Sequence, residues 1–123
     1  MDVEERAVPL AGQTVLVVED QYLIAEDLCA LVERLGGTVM GPVPGVEAAL
    51  DLLRAGRPDL AMLDVNLEGE RVYDVCTALR EAEIPFLFIT GYDAAVIHPH
   101  FRAVPCLEKP VEEAALRGAI ARL

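Results

Sequence analysis

Leu60 to Leu63 run apolar without alternation and stop at Asp64. A strand wetted on one face alternates apolar with polar side chains, so an unbroken apolar run of this length belongs to a strand covered on both faces. Such strands occur in parallel sheets whose crossovers lay helices on either side. Ligands bind such sheets beyond the carboxyl ends of the strands, the position this pattern gives to Asp64. An aspartate after an apolar run is also a common turn opener, so its meaning depends on what the other strands deliver to the same edge.

The rest of the chain repeats the pattern. Val15 to Val18 ends in Glu19-Asp20, and Phe86 to Ile89 ends at Thr90-Gly91. Thr38 to Met40 predicts a short strand stopped by Gly41-Pro42. Ala103 to Leu107 predicts a fifth, interrupted by Pro105 and followed by Glu108, Lys109 and Pro110. Between them, Ile24, Leu28, Leu31 and Leu35 recur at helical spacing and halt at Gly36-Gly37; Val46, Ala49, Leu50 and Leu53 do so before Gly56 and Pro58. Val72, Val75, Cys76 and Leu79 predict a third helix, and Ala115, Leu116, Ala119, Ile120 and Leu123 a last one starting at Val111. Tyr92 to Phe101, interrupted by Pro99, predicts a short, mobile helix. Five strands alternating with five helices specify an α/β fold: a doubly wound, five-stranded parallel sheet with helices on both faces and right-handed crossovers. Residues 1–12 are polar and aperiodic and predict a flexible leader, with one domain over residues 13–123.

A chain of 123 residues, 54% of them hydrophobic, buries a core without staples. Its apolar runs fall far short of the roughly twenty residues a membrane span needs, and the N-terminus lacks the basic-then-apolar form of a signal peptide. We therefore expect a cytoplasmic protein. Cys29, Cys76 and Cys106 are odd in number, widely spaced and flanked by apolar residues, which predicts buried free thiols. The formal charge of −11, from 21 acidic and 10 basic residues, disfavours nucleic acid and anionic membrane as partners.

One sheet edge thus collects Glu19, Asp20 and Asp64, the Thr90 hydroxyl and Lys109, the only lysine in the chain. Like charges near 4 Å repel by roughly 4 kcal/mol at an effective dielectric of about 20, so three clustered carboxylates call for a cation. Hard oxygen ligands with room for water suit Mg²⁺, completed by a phosphate oxygen. A carboxylate beside Mg²⁺ and facing an ammonium can attack phosphorus, which gives Asp64 the role of nucleophile, with Lys109 and Thr90 on the phosphoryl oxygens. The competing reading makes Glu19 and Asp20 a helix cap and Lys109 a surface residue.

The acidic pair Glu19-Asp20, Asp64, Thr90 and Lys109-Pro110, in this order and spacing from Thr14 to Leu123, resemble the receiver domain of two-component response regulators, the CheY-like, flavodoxin-like fold. The resemblance implies phosphoryl transfer to Asp64 from a phosphohistidine on a sensor histidine kinase or histidine phosphotransfer protein. It implies Mg²⁺ held by Asp20, Asp64 and the backbone carbonyl of Asn66, Glu19 in an outer or water-mediated role, and a cis Lys109-Pro110 peptide. It implies a domain that catalyses only its own phosphorylation and dephosphorylation and signals through protein contacts to an unknown output protein; a homodimer is compatible with it.

The sequence departs from the common receiver at Cys106, where most carry an aromatic that rotates as the domain switches, and at Glu68-Gly69-Glu70, where a proline is usual. Phe88-Ile89-Thr90-Gly91-Tyr92 resembles the Phe-Ala-Thr-Gly-aromatic branch, and we expect the Gly91 loop to serve as the switch, with Asn66 and Tyr92 governing water access. His98 and His100 have no partner at ligand spacing, which predicts exposed histidines. Two alternatives stand beside the receiver. A haloacid-dehalogenase-like phosphohydrolase uses the same Asp, Mg²⁺, Thr and Lys but needs an acid two residues after the nucleophile, where this chain has Asn66. A receiver-like interaction module would never take up phosphate.

Overall fold

The computed structural model of the chain describes residues 8–67, 70–91 and 97–123. Five parallel strands, β1 (Thr14–Val18), β2 (Thr38–Val43), β3 (Leu60–Asp64), β4 (Phe86–Thr90) and β5 (Cys106–Glu108), stand in the order β2-β1-β3-β4-β5. The central strands β3 and β4 are buried at every residue, as their uninterrupted apolar runs require. Four α-helices accompany the sheet: α1 (Tyr22–Arg34), α2 (Val46–Ala55), α3 (Tyr73–Glu81) and α4 (Glu113–Ala121). Leu28, Leu31 and Val32 of α1 share one core with Leu116 and Ala119 of α4. Ala49 of α2 and Val75, Cys76 and Leu79 of α3 fill the other. This is the doubly wound, CheY-like sheet expected from the alternating pattern. Among the described residues no helix is long and apolar enough to cross a membrane.

Several local expectations are corrected. β2 does not stop at Gly41-Pro42. Gly41 takes a left-handed φ of +100°, the Gly41-Pro42 bond is cis, and the pairing with β1 jumps from Leu16↔Met40 to Val18↔Val43. An edge strand accepts this step because only one of its sides carries a ladder. β5 begins after Pro105 instead of running through it, although Pro105 still offers its carbonyl to the Phe88 N–H at 2.8 Å. The loop after Asp64 contains a two-residue antiparallel ladder, Asn66–Leu67 with Glu70–Arg71.

Of the expected helix before β5, Pro99–Phe101 forms a single 3₁₀ turn, and residues 92–96 lie outside the described residues. α4 starts at Glu113, not Val111, and leaves Ala115 exposed. The leader is anchored at its end: Leu10 is fully buried and its N–H donates to the Leu35 carbonyl at 2.9 Å. All three cysteines are free, but only Cys76 is fully buried; Cys29 and Cys106 are half-buried.

Candidate functional site

The register of three strand pairs sets the site. Val18 lies beside Leu63, Asp64 beside Ile89, and Thr90 beside Glu108, so continuing each strand by one residue brings Glu19, Asp64, Thr90 and Lys109 to one edge. The Lys109 N–H donates to the Thr90 carbonyl at 2.8 Å, which extends the β4–β5 ladder into the cis Lys109-Pro110 turn. A cleft of about 580 Å³ opens here, lined by Asp20, Gln21, Asp64, Asn66, Gly91 and Lys109.

Glu19 and Asp64 are buried, and Lys109 reaches both with its side chain only 13% exposed. Its Nζ lies 3.1 Å from Asp64 Oδ2, to which it donates a hydrogen bond, and 2.8 Å from Glu19 Oε1. The second contact is close but misdirected for a hydrogen bond. Glu19 Oε1 is therefore a buried side-chain oxygen without a hydrogen-bond partner, while Glu19 Oε2 accepts from the Gln21 N–H at 3.0 Å. Burial pushes the Glu19 carboxyl up to about 7; Lys109 and the Gln21 amide pull against this, and the charge of Asp64 adds to it. Burial works against the Lys109 ammonium, but its two carboxylate neighbours outweigh that and raise its pKa.

One carboxylate oxygen from each of Glu19, Asp20 and Asp64 lies within 4.8 Å of the others. A single ammonium faces this set, and one buried oxygen lacks a hydrogen bond. That donor set of hard oxygens fits a divalent cation of the Mg²⁺ type. The Asn66 N–H donates to Asp64 Oδ1 at 3.0 Å, so the Asp64 carboxylate is held at both oxygens, by an amide and by the ammonium.

The structure brings Asp20, Asp64, Asn66 and Lys109 to the wall of one cleft, with Glu19 behind them. Thr90 is fully buried at the adjacent strand end and does not line the cleft. Gly91 does line it, but neither a left-handed backbone nor close neighbours demand glycine: a Cβ there would meet only Lys109 Cδ, at 3.8 Å. Tyr92, assigned above to water access, lies outside the described residues. Gln21, whose amide orients Glu19, went unnoticed in the sequence; its place directly after the acidic pair was the available signal. Ile24 of α1 also lines the cleft, and the two residues before it, Tyr22 and Leu23, are large side chains 73% and 72% exposed.

The family model of the response regulator receiver domain matches residues 15–121. The chain belongs to this family. It is 29% identical over 110 residues to the sensory transduction protein LytT of Bacillus subtilis, a match covering 86% of this chain and 46% of LytT. The solution structure of SdrG from Sphingomonas melonis Fr1 superposes with a TM-score of 0.81 at 39% identity, covering 91% of this chain and 94% of SdrG. The BeF3-activated conformation of SdrG, from Pseudomonas melonis Fr1, gives 0.79 at 38% identity over 90% and 95% of the two chains. The chain spans less than half the length of LytT and of the other curated relatives it first matches. Receiver domains are signalling modules that work with histidine kinases and output partners, and nothing in these likenesses points to the hydrolase alternative.

Proposed function

We propose that this receiver accepts a phosphoryl group on Asp64 from the phosphohistidine of a sensor histidine kinase or a histidine phosphotransfer protein. The observation that carries the reading is the posture of Asp64: buried, hydrogen-bonded by the Asn66 amide at one oxygen and by Lys109 at the other, and facing an open cleft. An Asp64 oxygen forms the new O–P bond as the N–P bond of the phosphohistidine breaks, and the electron pair returns to the imidazole nitrogen. The Lys109 ammonium moves its interaction from the carboxylate to the phosphoryl oxygens, offsetting charge that grows there. Thr90, one strand over, donates its hydroxyl to a phosphoryl oxygen after turning toward the cleft.

Asp20, Asp64 and the Asn66 carbonyl are the residues we assign to Mg²⁺, with Glu19 holding Lys109 and reaching the metal through water. The cation supplies neutralisation of the crowded carboxylate and phosphoryl oxygens. Tyr22 and Leu23, exposed between the cleft-lining Gln21 and Ile24, suit the apolar surface of the donor protein. The only chemistry we assign is the domain's own phosphorylation and dephosphorylation. We place it in the cytoplasm with its donors and assign it a protein output partner.

Incubation with Mg²⁺ and acetyl phosphate tests the assignment. We expect a hydroxylamine-labile acyl phosphate on the wild type and none on Asp64→Asn. Absence of an adduct on the wild type would favour an interaction module that never takes up phosphate, and steady hydrolysis of phosphate monoesters would favour the hydrolase.

A further inference from the structure

Away from the cleft, α3 and the 3₁₀ turn Pro99–Phe101 build a corner rich in rings and cations. The Tyr73 ring stacks on Phe101 at 5.1 Å with an interplanar angle of 6°, and its hydroxyl oxygen accepts the His98 N–H at 2.8 Å. The Arg80 guanidinium lies over Phe101, 4.5 Å from the ring centroid, and 5.9 Å from that of Phe86. Its Nη1 donates to the His100 carbonyl at 3.4 Å. Arg80, His98, His100 and Arg102 are all exposed.

The corner gathers positive charge on an acidic chain. Acids outnumber bases 21 to 10, and Arg34, Arg54 and Arg117 each have a carboxylate partner, whereas among the described residues the exposed Arg57 and Arg122 have none but stand apart from one another and from any ring cluster. Among the described residues Arg80 and Arg102 form no ion pair, although Asp74 and Glu81 are exposed on the same helix as Arg80. A guanidinium has five N–H donors in a rigid fork that matches a carboxylate. Phe101 and the His100 carbonyl fix the Arg80 fork against the surface, so little side-chain freedom remains to be lost when a ligand arrives.

We propose that this corner is a docking surface for an acidic, extended segment of a protein partner, with Arg80 as the carboxylate-binding anchor and Arg102, His98 and His100 around it. The surface lies outside the carboxylate cleft, none of whose lining residues belongs to it. A protein segment fits better than a nucleic acid. The domain's charge of −11 repels a long polyanion along most of its length, whereas a short acidic stretch engages only the cationic corner.

The test is fluorescence anisotropy with a fluorescein-labelled peptide of alternating glutamate and aspartate around one leucine, at low salt. Replacing two charge-assisted anchors in Arg80→Gln/Arg102→Gln should weaken binding at least about tenfold, while the remote Arg54→Gln changes it less than about twofold. Arg102→Glu alone leaves the Arg80–Phe101 stack untouched and should also weaken binding, which separates docking from any loss of folding. Amide shifts on titration should fall on Tyr73–Glu81 and residues 97–104. No saturable binding, equal affinity in the arginine variants, or tighter binding of a DNA duplex than of the peptide would each overturn the proposal.

Discussion

At the carboxyl end of β4, Thr90 abuts a cleft whose walls carry charge into the interior; lower on the same strand, Phe86 and Phe88 meet Phe101 edge to face, 6.5 Å and 6.3 Å between centroids. The cleft holds two buried carboxylates against one ammonium, an arrangement that costs stability unless each charge is compensated. The ring corner needs no compensation, because stacked and edge-to-face rings are favourable as they stand. One strand thus separates a buried charge cluster that calls for a cation from a ring cluster whose packing calls for none. Charge variants should therefore act on the cleft, strongly and in a cation-dependent way, and ring variants on the corner, weakly and without cation dependence.

The largest effect should come from Lys109→Met. Removing the ammonium leaves Glu19 and Asp64 facing each other in the interior, and breaking a buried ion pair of this kind costs on the order of 4 kcal/mol. Urea denaturation at pH 8 in the presence of a chelator measures it. Excess Mg²⁺ should recover part of the loss, since the carboxylates then regain a cation. An unchanged midpoint without Mg²⁺ would mean that the cleft does not depend on compensation, and the contrast with the ring corner would fail.

A somewhat smaller effect follows from Glu19. Burial raises its carboxyl to about 7 from 4.5, so the folded protein without metal keeps a proton that the unfolded chain releases. The stability this proton represents is fully present below about pH 4.5 and is lost as pH rises through about 7, by about 3 kcal/mol in all. Denaturation at pH 5 and pH 8 in chelator should show the wild type weaker at pH 8, and Glu19→Gln should flatten the difference. Lys109, whose pKa is raised, stays charged throughout this window and adds no titration of its own to it. A cation displaces the proton, so Mg²⁺ affinity should climb over the same interval.

The same contrast explains what could be read from the sequence. Asp64 and Glu19 each end an apolar run and Lys109 follows one by a single residue, and in a parallel sheet the end of a run is a position in space; the register Val18↔Leu63 and Thr90↔Glu108 does the rest. Their convergence was legible because backbone periodicity alone produces it. The ring corner was not. Tyr73 and Phe101 come from different elements, and only the crossover after β4 stacks them. Arg80 likewise meets its rings only through tertiary packing, which its place in the helical pattern does not announce. Pro105 and Gly41-Pro42 misled for a related reason: they mark edge strands, and edge status is a fact of strand order, which local pattern does not reveal.

The smallest predicted effect probes whether the two regions are independent. Tyr73→Phe deletes the hydroxyl that accepts the His98 N–H at 2.8 Å but keeps the ring that stacks on Phe101. His98 is exposed, so its freed N–H turns to water, and the loss is that of one exposed hydrogen bond, about 1 kcal/mol or less. Amide exchange at His98 should quicken while Phe88, whose N–H is tied to the Pro105 carbonyl, stays protected. Mg²⁺ affinity should not move, because no group of the corner touches the carboxylates. A shift in that affinity would show that the tyrosine reports on the cleft after all, and that β4 couples the regions instead of separating them.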